Sequence, residues 1–200
     1  MPPMRHHLMP PAVVEVRPAA AGDWAAVAEL VNFYIATTTV NFRTEPQTPQ
    51  VWAEDWARGR DRHPWLVAVV DGEVAGIAYA GQWKARAAYD WCAEVTGYVA
   101  DGRRGQRVGH ALYRALLATL DAQGYRTVIG VIGLPNEPSA RFHEAFGFQH
   151  TGTLRGVGYK QGRWCDIGFW QRAAATDAPP GEIRPFAAVW PQVRAALDGS

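Results

Sequence analysis

The chain has 200 residues, 48% of them hydrophobic and 20% charged, with a formal net charge of +1. That balance suits one soluble globular domain and excludes any general electrostatic pull toward nucleic acid or an anionic membrane. With Cys92 and Cys165 as its cysteines, the chain supports neither a disulfide scaffold nor a metal site, and reduced thiols in a cytoplasmic protein are expected.

Residues 1–12, rich in proline and carrying His6-His7, read as a flexible lead without the unbroken apolar run of a signal peptide. Val13–Arg17 alternates as a first strand. Asp23 opens a helix whose stripe is Val27, Leu30, Val31, Tyr34 and Ile35. A second helix has Thr48 as its N-cap and Pro49 at its first position, with Trp52 and Trp56 one turn apart. Two apolar runs around Asp71-Gly72 predict a hairpin, and Trp91–Ala100 predicts the next strand. A helix follows from Val108 to Gln123, with Leu112, Leu116, Leu117 and Leu120 on its apolar face and Gly124 as its stop. TVIGVIGL is a buried strand, and NEPSARFHEAFGF is a short helix ended by Gly147. Strand-like runs at Gln149–Val157 and Arg163–Arg172 complete the core. Residues 173–200 read as a C-terminal extension with a short helix from Pro191. The order β-α-α-β-β-β-α-β-α-β-β implies an α/β fold, a mixed sheet flanked by helices and not a doubly wound one. No apolar run reaches the roughly 20 residues of a membrane span.

The stretch RRGQRVG, Arg103 to Gly109, lies between a strand and a helix. It lacks the Lys-Ser/Thr that ends a Walker loop, and the Gly-x-Gly of a dinucleotide fingerprint. What remains is a tight loop at a helix N-terminus, where free N–H groups and the helix dipole favour an anion. On spacing alone this reading and that of a solvated charged turn stand level.

YVADGRRGQRVGHALYRALL, taken with NEPSARFHEAFGF, resembles the acetyl-CoA signature of the GNAT-type N-acetyltransferase superfamily. That signature is [QR]-x-x-G-x-[GA] at a helix start, followed one strand later by an Asn and a short helix ending in Gly-Phe. Arg104 takes its first position and Gly109 its last, while Arg107 replaces the middle glycine. The Arg107 N–H can still donate, provided the loop does not need a positive φ there. Further segments, VNFYIATTTVNFRTEPQTP, HPWLVAVVDGEVAGIAYAGQWKARAAYDW, VIGLPNEPS and GRWCDIGFWQ, are similar to the phosphinothricin N-acetyltransferase family within it, from about Val14 to Gln171. The resemblance implies a single GNAT domain over residues 13–172, with a mostly antiparallel central sheet flanked by helices. It also implies a homodimer and a role in herbicide or antibiotic resistance.

The reaction implied is acetyl transfer from acetyl-CoA to the α-amino group of L-phosphinothricin, without a metal. Such chemistry needs a base for the ammonium, donors for the oxyanion and an acid for the departing thiolate. The family's catalytic glutamate falls on Glu94, which shares a strand face with Cys92, Thr96 and Tyr98. A carboxylate among such neighbours has its pKa raised by desolvation; without the resemblance, a surface glutamate would be the simpler reading. His143 falls where a histidine of the family would act as acid or orient substrate, and a helix histidine bonded to a backbone carbonyl is the other reading. For the cofactor the resemblance implies Tyr98 and Val99 at a strand end and Arg104, Gly105, Gln106, Arg107, Val108 and Gly109 for the pyrophosphate. Asn136 and Ser139 would take the pantetheine arm, with Asn136 serving equally as a helix cap. For the substrate it implies the cations Lys84 and Arg86, with Phe42, Tyr89 and Thr96 lining the pocket. Two alternatives accompany this reading: methionine sulfoximine or methionine sulfone as acceptor, and a non-catalytic acyl-CoA-binding module.

Overall fold

The computed structural model describes residues 13–199; the expected N-terminal lead and its His6-His7 pair lie outside them. A seven-stranded sheet runs through the described chain in the order β1-β2-β3-β4-β5-β7-β6. Its strands are β1 (Glu15–Pro18), β2 (Trp65–Val70), β3 (Glu73–Gln82), β4 (Cys92–Val99), β5 (Thr127–Leu134), β6 (Gln149–Lys160) and β7 (Arg163–Ala173). The helices are α1 (Trp24–Thr37), α2 (Pro49–Gly59), α3 (Val108–Gln123), α4 (Glu137–Ala145) and α5 (Phe186–Asp198). All pairings are antiparallel except β4 with β5. This is the mixed, mostly antiparallel single-domain α/β fold expected.

Local chemistry accounts for the element ends. The Thr48 side chain accepts from the Val51 N–H at the start of α2, and Asn136 accepts from Ser139 at the start of α4. Asp71 and Gly72 both have positive φ, 53° and 81°, the two-residue turn that matches strand twist. Gln161 and Gly162 repeat it at 50° and 76°, so β6 runs on to Lys160 rather than stopping at Val157 as the sequence pattern suggests.

The sheet is packed on both faces. Val95, Leu112, Leu116, Leu120, Val128 and Ile132 are buried on the α3 side, and Val27, Val31, Trp52, Trp65 and Ile77 on the α1–α2 side. The C-terminal helix begins at Phe186, five residues before the expected Pro191, which lies inside it. Burial compensates the hydrogen bond that this proline forfeits, since Val189, Trp190 and Val193 are all buried, the last two in the α3-side core. Gln123 ties the preceding segment down, its Nε2 donating to the Arg184 carbonyl at 2.8 Å.

Candidate active site

The functional region is set by a break in the sheet. β4 and β5 pair from Cys92–Thr127 to Val95–Gly130 and no further, although the strands continue to Val99 and Leu134. Beyond that point the facing main-chain groups of the two strands have no ladder, which leaves polar edges for a bound molecule.

Glycines at the parting admit two rings behind it. A Cβ on Gly97 would come within 2.7 Å of the Tyr113 ring, and one on Gly130 within 2.7 Å of the His143 ring. Those two side chains meet, with the Tyr113 hydroxyl 3.1 Å from His143 Nε2. His143 Nδ1 lies 2.8 Å from the Ser139 carbonyl. A carbonyl only accepts, so Nδ1 carries the proton and Nε2 accepts from Tyr113. His143 is 6% exposed, and burial lowers its pKa, so the ring is neutral. This is the geometry of a helix histidine bonded to a backbone carbonyl.

Glu94 stands on the other face. Strand alternation groups it with Tyr98, whose ring packs 5.3 Å from Tyr34 of α1, whereas Ala93 and Val95 point into the α3-side core. The expected base and acid therefore lie on opposite sides of the sheet. Glu94 is half-buried, flanked in the sheet by Gly81 and Ile129. Burial pushes its carboxyl above the ordinary carboxylate value and the Lys84 charge pulls it partly back. Thr96 pairs with Tyr79. Lys84 itself is exposed, its Nζ 4.7 Å from the centre of the Trp83 ring. Arg86 and Tyr89 are exposed in the loop that returns to β4. Phe42 is exposed on the α1–α2 loop, which the neighbouring Asn41 fastens to the site by donating to the Tyr98 hydroxyl at 2.8 Å.

The loop before α3 is tightly wound. Arg103 pairs with Asp71 at 2.9 Å and Glu73 at 3.5 Å, so its charge is spent on the β2–β3 hairpin. Arg104 pairs with Asp101 at 3.0 Å and donates to the Tyr34 hydroxyl at 3.2 Å; that hydroxyl in turn donates to the Val99 carbonyl at 2.5 Å. Gly105 has φ = 77°, and Gln106 reaches back to the Gly102 carbonyl at 3.4 Å. Arg107, the helix N-cap, has φ = 62° and ψ = 10°. The loop thus requires at Arg107 the left-handed conformation that the missing glycine would supply, so the proviso attached to its N–H in the sequence is not met. An arginine side chain cannot accept, and no side chain caps the helix. The N–H groups of Val108, Gly109 and His110 are left without intrahelical acceptors, an arrangement suited to an anion.

From sequence, Tyr34 was placed only on the core stripe of its helix, and Asn41 and Tyr113 were not singled out. Tyr34 and Tyr113 belong to helices where an aromatic residue reads as core, and the partners that give all three a polar role lie 30 or more residues away.

Residues 17–168 match the model of the acetyltransferase (GNAT) domain. The chain is 59% identical over 172 residues to a phosphinothricin N-acetyltransferase of Streptomyces viridochromogenes, covering 86% of this chain and 94% of that one. It is 32% identical to an L-methionine sulfoximine/L-methionine sulfone acetyltransferase of Pseudomonas paraeruginosa, covering 78% and 92% of the two chains. Among solved structures, a GNAT superfamily phosphinothricin acetyltransferase of Sinorhizobium meliloti in complex with AcCoA aligns with a TM-score of 0.80 at 30% identity. That alignment covers 84% of this chain and 94% of the other.

Proposed function

Since the chain belongs to the acetyltransferase (GNAT) family, we propose that it moves the acetyl group of acetyl-CoA to the α-amino group of L-phosphinothricin, with Glu94 as general base. The observation that carries this reading is the Glu94 carboxyl, half-buried and raised in pKa on the strand where β4 parts from β5. A carboxylate with a raised pKa takes the ammonium proton more readily at neutral pH than an ordinary one. The freed nitrogen then attacks the thioester carbon, the C–S bond breaks, and the second proton that the acylated nitrogen must shed goes to the departing thiolate. Because both nitrogens of His143 are occupied, its part is to brace Ser139 and Tyr113 at the parting rather than to supply that proton.

When bound, acetyl-CoA supplies the thioester. The residues present fit it: the uncapped start of α3 suits the pyrophosphate, held by the backbone of Arg104, Gly105, Gln106, Arg107, Val108 and Gly109. The unladdered ends of β4 at Tyr98 and Val99 suit the amide arm, with Asn136 and Ser139 on the opposite bank. Lys84 and Arg86 would hold the acceptor's carboxylate and phosphinate, Arg86 in the bidentate geometry an arginine allows, with Phe42, Tyr89 and Thr96 as walls.

The 59% relative favours phosphinothricin over the methionine sulfoximine class, whose relative stands at 32%. A non-catalytic module would have no use for the desolvated carboxylate at position 94. Conferring resistance to the herbicide follows from acetylating it, and the setting would be cytoplasmic. A homodimer is supported by β6, a long edge strand whose hairpin exposes Leu154, Val157, Tyr159 and Trp164; such edges are normally covered.

The experiment is thiol release from acetyl-CoA with L-phosphinothricin, methionine sulfoximine, methionine sulfone and ordinary amino acids. Saturable turnover preferring phosphinothricin is expected, with Glu94→Gln slowed on the order of 10²–10⁴-fold. Preference for the methionine analogues would replace the substrate, and an unimpaired Glu94→Gln would remove the mechanism.

A further inference from the structure

Lys160 is a buried cation that the proposed chemistry does not use. It is 7% exposed and forms no ion pair among the described residues. Its Nζ donates to the Asn41 carbonyl at 2.6 Å. Burying an ammonium opposite a neutral acceptor is costly, so its place calls for an explanation. The cation sits at the last residue of β6, where the chain turns, and its neighbours grip the end of α1 and the same loop. Gln161 Nε2 donates to the Ala36 carbonyl at 3.2 Å, and Arg163 to Thr39 Oγ1 at 2.7 Å. Two residues earlier, on the same face of β6, Gly158 leaves the space that Phe42 fills: a Cβ there would overlap the Phe42 ring.

The gripped loop joins α1 to α2 and carries Asn41 and Phe42. Asn41 is buried and bonded in three directions. Its carbonyl accepts from Lys160, its Oδ1 accepts from the Arg43 N–H at 2.8 Å, and its Nδ2 donates to the Tyr98 hydroxyl. Tyr98 is four residues from Glu94 on the same strand face. A chain of contacts therefore runs from the turn of the outer hairpin, through Asn41, to the catalytic strand.

We propose that the end of β6 is the seat of the acceptor-binding loop, and that Lys160 is a positioning residue which sets the affinity for the amino-acid acceptor by holding Asn41 and Phe42 in place. This rests on the reading of Phe42 as a wall of the acceptor pocket. Lys160 pins the backbone of residue 41, and Gly158 gives residue 42 its seat. Neither touches the acetyl-CoA loop, and Asn41 meets Tyr98 at its side-chain hydroxyl rather than at the backbone proposed to face the amide arm, so the effect falls on the acceptor.

The test is Lys160→Met, which keeps the stem and removes the donors. The expected result is an acceptor KM raised about tenfold, the scale of one charged hydrogen bond. The kcat and the KM for acetyl-CoA stay within about twofold, and Lys160→Arg restores part of the loss. Amide exchange should quicken at residues 40–44 and stay unchanged in α3. Gly158→Ala, which displaces Phe42 without touching Lys160, should raise the acceptor KM in the same direction and decides the matter if Lys160→Met does not fold. An unchanged acceptor KM in a folded variant, or equal losses in both KM values and kcat, overturns the proposal. If the wild-type protein acetylates no amine, the functional reading fails by itself, and unchanged exchange at residues 40–44 still overturns the seat.

Discussion

Replacing Arg107 by glycine should make this protein more stable while weakening its hold on acetyl-CoA. Arg107 has φ = 62° at the start of α3, and an L-residue in the left-handed region costs about 1–2 kcal/mol. Glycine removes that cost but enlarges the freedom of the unfolded chain, an opposing effect of about 0.4–1 kcal/mol. The guanidinium is exposed and has no ion pair among the described residues, so losing it removes little else. The net is a gain of about 0.5–1 kcal/mol, or roughly 1–4 °C in melting temperature for a chain of this size. Arg107→Ala is the control, because it keeps the strained backbone and removes the charge; it should leave the melting temperature within about 1 °C. Thermal unfolding of the three proteins without ligand, beside acetyl-CoA titration by calorimetry, separates the two effects. Both substitutions should weaken acetyl-CoA binding, by a few-fold at most, since one exposed charge is removed from an anion site. A glycine variant that melts below the wild type would refute the reasoning, for it would mean that the arginine side chain stabilises the loop by more than its backbone strains it.

Gly130→Ala should cost about 1–3 kcal/mol, because the added carbon would meet the His143 ring at 2.7 Å; urea unfolding at neutral pH measures it, and a neutral effect would mean the ring moves freely. Acid should destabilise the fold before the ordinary exposed carboxylates are protonated. Burial lowers the pKa of His143, and burial with the Arg62 charge lowers that of His63 to about 4. Their unfolded forms bind protons near pH 6.5, so stability is full above that value and is lost as pH falls from there toward 4. Unfolding midpoints at pH 7 and pH 5 test the sign, and His63→Leu should flatten the slope. Activity, in contrast, should fall as pH drops through the raised pKa of Glu94, at a pH above the ordinary carboxylate range; a limb at or below that range would deny that burial tunes the base. Trp164→Glu, in the exposed hairpin patch at a residue 68% exposed, should shift sedimentation from dimer to monomer; a wild-type monomer would instead leave the patch without this partner.

What the sequence determined by itself is what depends on a few neighbouring residues. Asp71-Gly72 makes its own turn, Thr48-Pro49 starts its own helix, and Gly124 stops one, because caps and positive φ act within three or four residues. The shared face of Cys92, Glu94, Thr96 and Tyr98 follows from strand alternation alone. The order of strands and helices was legible for the same reason, up to the end of β7. The extent of β6 and the start of α5 were not. The first depends on a turn whose leading residue, Gln161, is not itself a turn former, and the second on burial of Val189, Trp190 and Val193, which outweighs a proline in the second turn.

Only the tertiary structure decided how the candidate residues relate. It set Glu94 and His143 on opposite faces of the sheet, joined His143 to Tyr113 and spent Arg103 on Asp71 and Glu73. It also brought Lys160 to Asn41, across 119 residues of chain. Pairing at such separations is governed by which surfaces pack against each other, and no local pattern records it. A buried polar atom takes whichever partner the fold delivers, because leaving it without one costs more than any local preference can repay.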